Sequence, residues 1–482
     1  MSDSKFQKVI ADVADIQHVV VLMLENRSFD CMLGRLYPQD PDYLGLTLNE
    51  YNNCGSRGFG VWNDSGMSSM TACLPDPDPG ELFADMNMQL FGSVTRPATA
   101  PTMSGFAQSY ATQLGTGVFA PSAVMHYFTP EQVPVISTLA KAFGVCDQWH
   151  ASSPCQTWPN RFFAHTGTSL GHVDNHTFPI PFGAPSLFRR LEDQGKSWRV
   201  YFHDMPQSIL LKDVWECAAA RYRFFSQFLA DAHSGSLPGY SFIEPRYFTD
   251  LFKSFIPNDE HPPHNVVYGE QLMASVYNAV RSSPCWKQTL LIITYDEHGG
   301  CYDHVAPPDA IPPDGIIANA DNFNFNAYGV RVPAVIISPY IAPGSKVRPP
   351  KHADGSVTPF DHTSIIKTVR EIFSLGAELT ARDKAAPSLL GALNLAAPNN
   401  DGPPRIDVTP PAPSVPLLKL RAAAAPNGMQ SSLATAAASL PSRAPASAAD
   451  LPASQTPERV EYASVANAQA SATVRTNQFL GV

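Results

Sequence analysis

Short apolar runs recur along the chain, and most of them stop abruptly at residues able to do chemistry. Residues 19–24 (VVVLML) end at Glu25 and Asn26, and residues 289–295 (TLLIITY) end at Asp296, Glu297 and His298. Residues 198–202 lead to His203 and Asp204, residues 240–243 to Glu244 and Arg246, and residues 142–149 towards Thr157. Residues 332–340 form a further apolar, β-branched run. Such runs are too short for helices of their own and lack alternation, so they read as strands buried on both faces. Helical spacing appears between them, near residues 132–141, 187–194, 268–281 and 363–375. The alternation predicts an α/β fold, with a mostly parallel central sheet sandwiched between helical layers and long loop insertions. Polar residues at several strand ends then gather along one carboxyl edge, where open α/β sheets bind ligands.

Two stretches break the pattern. Residues 40–115 are rich in Gly, Pro, Asn and Asp with weak periodicity, which suggests an insertion near the site entrance. From residue 396 the composition turns to Ala, Pro and Ser, which cannot bury enough apolar surface to order itself unaided. The expected organisation is a catalytic domain over 1–395 and a tail over 396–482, flexible or docked on the body. At 482 residues and 44% hydrophobic composition the chain can bury a large core. A net charge of -10 without a basic stripe argues against nucleic acid as a partner. The eight cysteines show no CxxC pair, so a thiolate zinc site is not expected. Cys54 and Cys73 could pair in an exported protein, but reduced thiols are the expectation. The opening MSDSKFQKVIADVADIQ has no basic and apolar leader pattern, which reads as cytoplasmic, with secretion or a periplasmic location by another route left open.

Three motifs carry the candidate chemistry. In Glu25-Asn26-Arg27-Ser28, two hard oxygen ligands follow a buried strand; a loop Glu capping the next helix is the plain alternative. In Asp296-Glu297-His298-Gly299-Gly300, adjacent carboxylates repel unless a cation or hydrogen-bond donors neutralise them. Glu25, Asn26, Asp296 and Glu297 together make an oxygen-rich divalent site, whose ligand type does not separate Ca, Mg, Mn and Fe. In Thr157-Trp158-Pro159-Asn160-Arg161, Pro159 fits a first helical turn and puts Thr157 at a helix N-terminus that favours an anion.

Together, ENRSFD, TWPNR and DEHGGCYDH resemble the bacterial and plant phosphoesterase family of non-specific phospholipases C and related acid phosphatases, over about residues 15–390. The resemblance implies an alkaline-phosphatase/sulfatase-like fold. It also implies a divalent metal ion on Glu25, Asn26, Asp296 and Glu297, and Thr157 as nucleophile. The acid phosphatase branch has Ser there, so Thr157 favours a phospholipase C, with phosphatidylcholine the favoured substrate. An acid phosphatase acting on soluble phosphomonoesters is the alternative. His261, in Asn258-Asp259-Glu260-His261-Pro262, is similar to the family's His-Pro segment and would sit near the phosphate. His126 and His203 are further candidates for phosphate or leaving-group contacts, with His362 behind them. The expected chemistry is attack by Thr157 on phosphorus, a phosphothreonine intermediate, and protonation of the departing alcohol by His261. Expected partners are a phospholipid or phosphate-ester substrate, a transient membrane surface contact, and contact of the tail with the catalytic domain. A remote rival, a serine esterase, rests on GTSLG over 167–171 with Ser169, Asp296 and His362 in hydrolase order; a binding protein with a dead site is the non-enzymatic one. GTGVFA over 115–120 reads as a loop.

Overall fold

The computed structural model describes residues 15–114, 120–175, 179–318 and 322–482. Residues 1–14, on which the reading of the N-terminus rests, and most of GTGVFA lie outside the described residues. Ten strands are present among them: β1 (His18–Leu24), β2 (Tyr51–Cys54), β3 (Arg57–Gly60), β4 (Gly144–Val145), β5 (Trp198–Phe202), β6 (Tyr222–Phe224), β7 (Tyr240–Ile243), β8 (Thr289–Tyr295), β9 (Ala334–Ile337) and β10 (Ser345–Lys346). Eight of them form one sheet in the order β10-β4-β9-β8-β1-β7-β5-β6. β1 lies at its centre, paired in parallel with β8 through His18↔Thr289 to Leu24↔Tyr295 and with β7 through Val19↔Tyr240 to Leu22↔Ile243. Every residue of β8 is buried, as an uninterrupted apolar strand between two helical layers requires. Because β8, β1, β7 and β5 are neighbours, their carboxyl ends bring Asp296, Glu25, Glu244 and His203 to one edge.

Two of the expected strands come out differently. The run 142–149 yields only the two residues of β4, and β9 occupies four residues of 332–340 and runs antiparallel to both β8 and β4. The insertion is ordered by its own small core, in which Leu90, Phe106 and Tyr110 pack with Tyr302 beside the DEHGG motif. In the Ala/Pro-rich segment, helices Val415–Ala423, Gly428–Ser439 and Val465–Leu480 lie against the body. Leu433, Ala437, Ala468 and Phe479 share the core cluster of the central sheet. All eight cysteines are free, Cys54 and Cys73 included. Among the described residues no helix is long and apolar enough to cross a membrane.

Candidate active site

β1 ends by placing Asn26 in the left-handed region, at φ 56°. This turn lets the Asn26 N–H donate to Asp296 Oδ1 at 3.1 Å, tying the ends of β1 and β8 together. The Asn26 amide donates to Glu297 Oε1 at 2.7 Å and to Glu81 Oε1 at 2.5 Å. Carboxylates only accept, so the NH2 must face them, and Asn26 Oδ1 is left facing Thr157. Gly299, at φ 60°, packs directly on this turn; a Cβ there would lie 2.2 Å from the Asn26 carbonyl oxygen. Ser28 caps the next helix (Phe29–Leu33) and donates to the Tyr302 carbonyl, so it supports the turn that carries Glu25 and Asn26.

Thr157 opens the helix Thr157–Thr166 and is fully buried. Its Oγ lies 3.5 Å from Glu25 Oε2 and 3.4 Å from Asn26 Oδ1, both long for hydrogen bonds. One turn on, Arg161 reaches Glu25 at 2.6 Å, Asp296 at 3.2 Å and Glu244 at 3.8 Å, so one guanidinium joins the ends of three strands. Burial opposes its charge, but Glu25 and Asp296 outweigh burial and keep it ionised. Gln207 adds a donor to Glu25 Oε1 at 2.8 Å.

Asp78 and Glu81, from the insertion, complete the group. His261 Nδ1 lies 2.7 Å from the Pro262 carbonyl, which can only accept, so Nδ1 carries the proton. Burial holds the ring's pKa down at about 4, so near neutral pH His261 Nε2 presents a lone pair. That lone pair meets another: Glu81 Oε1 stands 3.5 Å away, with Asp78 3.6 Å from Nδ1. Burial, followed by Glu297 for Glu81 and by Asp296 for Glu297, pushes both carboxyls well above the usual carboxylate range. Arg161 serves Glu25 and Asp296 instead, and Arg27 spends its guanidinium on the carbonyls of Glu260, Leu74 and His264. Asp78, Glu81 and His261 therefore form a group able to hold a divalent ion, next to Asn26 and Glu297. A second acidic group, Asp30, Asp303 and His304, differs in kind. There Arg331 bridges Asp30 and Asp303 at 3.0 Å each, so the charges are already balanced and the cluster is a staple.

The structure brings Glu25, Asn26, Thr157, His261, Asp296 and Glu297 into one region. Asp296 is the most fully engaged, with Oδ1 accepting the Asn26 and Glu297 N–H groups and Oδ2 the Arg161 Nε. His126 and His203 stand apart from Thr157 in their contacts. His126 sits edge-on between Trp62 and Phe128, burial lowers its pKa to about 4, and its ring nitrogens have no hydrogen-bond partner among the described residues. His203 stacks on Phe225 and meets the Glu244 carbonyl at 3.1 Å. His362 Nε2 lies on the Asp296 carbonyl at 2.6 Å. Ser169 fails as a nucleophile elbow: it follows a helix that ends at Thr166 and is capped by Gly167, where a strand is needed, and its hydroxyl donates to the His172 carbonyl. Sequence reasoning missed Asp78, Glu81, Arg161 and Gln207. Arg161 had a readable signal, one helical turn after Thr157.

A family model described as Phosphoesterase family matches residues 16–376. Non-specific phospholipase C3 of Arabidopsis thaliana is 36% identical over 412 residues, covering 82% of this chain and 76% of its own. Phospholipase C A of Mycobacterium tuberculosis is 29% identical over 468 residues, covering 82% of this chain and 80% of its own. Among solved structures, a protein in the alkaline phosphatase superfamily from Vibrio parahaemolyticus aligns with a TM-score of 0.31 and 12% identity, over 80% of this chain and 79% of that one.

Proposed function

The chain belongs to the Phosphoesterase family, and from that premise we propose that it is a phosphoric ester hydrolase acting as a phospholipase C, with phosphatidylcholine the favoured substrate. One observation carries the reaction: Thr157 Oγ stands at a helix N-terminus, 3.5 Å from Glu25 Oε2 and 3.4 Å from Asn26 Oδ1, whose amide holds the buried carboxyls of Glu81 and Glu297. A divalent ion held by Asp78, Glu81, His261, Asn26 Oδ1 and the remaining lone pairs of Glu25 and Glu297 would supply positive charge to the phosphoryl oxygens and make a nearby hydroxyl more acidic. The first turn of the Thr157–Thr166 helix directs its backbone N–H groups and dipole at the same anion. Glu25 Oε2 is the acceptor at hand for the Thr157 proton, while Arg161 and Gln207 hold Glu25 in place through Oε1. The bond from Thr157 Oγ to phosphorus forms as the bond to diacylglycerol oxygen breaks. Overall, the proton that Thr157 loses is the one the alcohol gains. Water then cleaves the phosphothreonine and releases the phosphorylated head group.

The test is head-group release by the parent and by Thr157→Val, from phosphatidylcholine vesicles, p-nitrophenylphosphorylcholine and p-nitrophenyl phosphate. The parent should hydrolyse both diesters in preference to the monoester and lose activity in a chelator. Thr157→Val should lose at least ~10³-fold in turnover, the scale on which a removed nucleophile acts. Turnover by Thr157→Val equal to the parent's would sink the intermediate, and a preference for the monoester would sink the phospholipase reading.

A further inference from the structure

A surface helix normally buries its apolar stripe and shows polar residues to water. The Val415–Ala423 helix is apolar on both faces. It is anchored by Leu418 and Ala422, one turn apart, and its opposite face carries Pro416, Leu417 and Leu420, the last 70% exposed. Lys419 and Arg421 stand on either side of this outward apolar face, where long cationic side chains can reach past an apolar layer. Arg421 Nη2 lies 3.7 Å from Cys73 Sγ, which puts the helix close to the Asp76–Asp78 stretch, where Asp78 is the partly exposed member of the candidate site.

The segment that enters this helix, 409–413, forms one wall of a cleft of about 350 Å³. Ser254, Phe255 and Arg246 line the same cleft, the Arg246 guanidinium 4.2 Å over the Phe255 ring. Beyond Phe255 projects a tight turn. Asp250 and Phe255 exchange backbone hydrogen bonds at 2.9 and 3.0 Å, and Asp250 Oδ1 accepts from the N–H groups of Phe252 and Lys253. At its tip Phe252 is 97% exposed beside Lys253. Isolated exposed hydrophobics are ordinary, but here two apolar projections, one beside Lys253 and the other between Lys419 and Arg421, flank a single cleft.

We propose that the Phe252 turn and the outward face of the Val415–Ala423 helix form a docking surface for a phospholipid bilayer, holding the Asp78 mouth of the site against the lipid. The choice of a bilayer rests on the phospholipase reading and on charge. Lys253, Lys419 and Arg421 complement lipid phosphates on a chain whose net charge is -10, and apolar residues flanked by cations match the interfacial zone of a membrane.

The experiment is flotation of the full chain with vesicles of phosphatidylcholine and phosphatidylglycerol, comparing the parent with the double variant Phe252→Ser, Leu420→Ser. Both side chains are exposed, so the variant should fold. Its partition onto vesicles should fall by at least ~10-fold. Hydrolysis of vesicle lipid should fall with it, while turnover of soluble p-nitrophenylphosphorylcholine stays at the parent's level. A parent that does not float, or a double variant that floats as well as the parent, overturns the proposal. So does a changed oligomeric state with unchanged flotation, which would assign the face to a second copy of the chain. A parent that floats but hydrolyses no ester contradicts the phospholipase reading and leaves the docking surface standing.

Discussion

Asn26 holds two carboxylates with one amide, and that economy leaves the group short of positive charge. Buried like charges cost several kcal/mol each unless protonated or paired, and among the described residues Glu81 lacks a salt-bridge partner other than the uncharged His261. Glu81→Gln keeps an acceptor for the Asn26 amide while removing one charge. In chelator the variant should melt above the parent; added Mg or Ca should raise the melting temperature of the parent and hardly that of the variant. Its activity should drop by roughly 10–100-fold, as for lost metal-site residues. Differential scanning fluorimetry beside a head-group assay checks this, and a parent indifferent to divalent ions would defeat it. Glu25, Asn26, Asp296 and Glu297 were legible because each interrupts an unbroken apolar run. Asp78 and Glu81 sit in LPDPDPGE, where nothing periodic marks a carboxylate as pointing inward. Only the folded insertion turns Glu81 onto Asn26.

At the scale of elements, Arg331, Asp30, Asp303 and His304 staple the helix after β1 to the loop after β8. His304 Nδ1 meets Asp30 Oδ2 at 2.7 Å. Burial opposes its charge, but the hydrogen bond and charge of Asp30 outweigh it and raise its pKa above the ordinary 6.5. A histidine raised on folding contributes stability that is complete below its unfolded pKa and is lost as pH climbs through the folded one. The stability difference between the parent and His304→Gln should therefore be largest below pH 6.5 and shrink above it. Urea melts at several pH values measure that difference, and one that grows with pH would contradict the staple. The strands bearing this chemistry were readable from composition. The run 142–149 was not, because hydrophobicity reports burial and is silent about pairing. After β4, Trp149 and His150 meet Phe360 and Arg331 only as single bridges.

For the whole molecule, the Ala/Pro/Ser segment was the hardest part to read. Its composition suits a chain unable to fold alone, yet small residues also let helices approach closely, as Ala437, Ala468 and Ala472 do inside the shared core. The clue lay in its caps: Asn427 and Gln430 form a capping box, and Ser414 and Ser464 cap their helices. Leu433 is fully buried there, so Leu433→Ala should lower the stability of one common unfolding transition by about 2–5 kcal/mol. Calorimetry that leaves the main transition unmoved would show the segment to be a separate unit. The group around Asn26 also bears on how the molecule is assembled. Asn26 and Glu297 meet across 271 residues, so their carboxylate neighbours are confronted only after a long loop has closed. Repulsion that arises so late weighs on the finished state more than on the route to it. An ion bound there would act as a brake on unfolding rather than a guide to folding, lengthening the life of the native protein without hastening its birth.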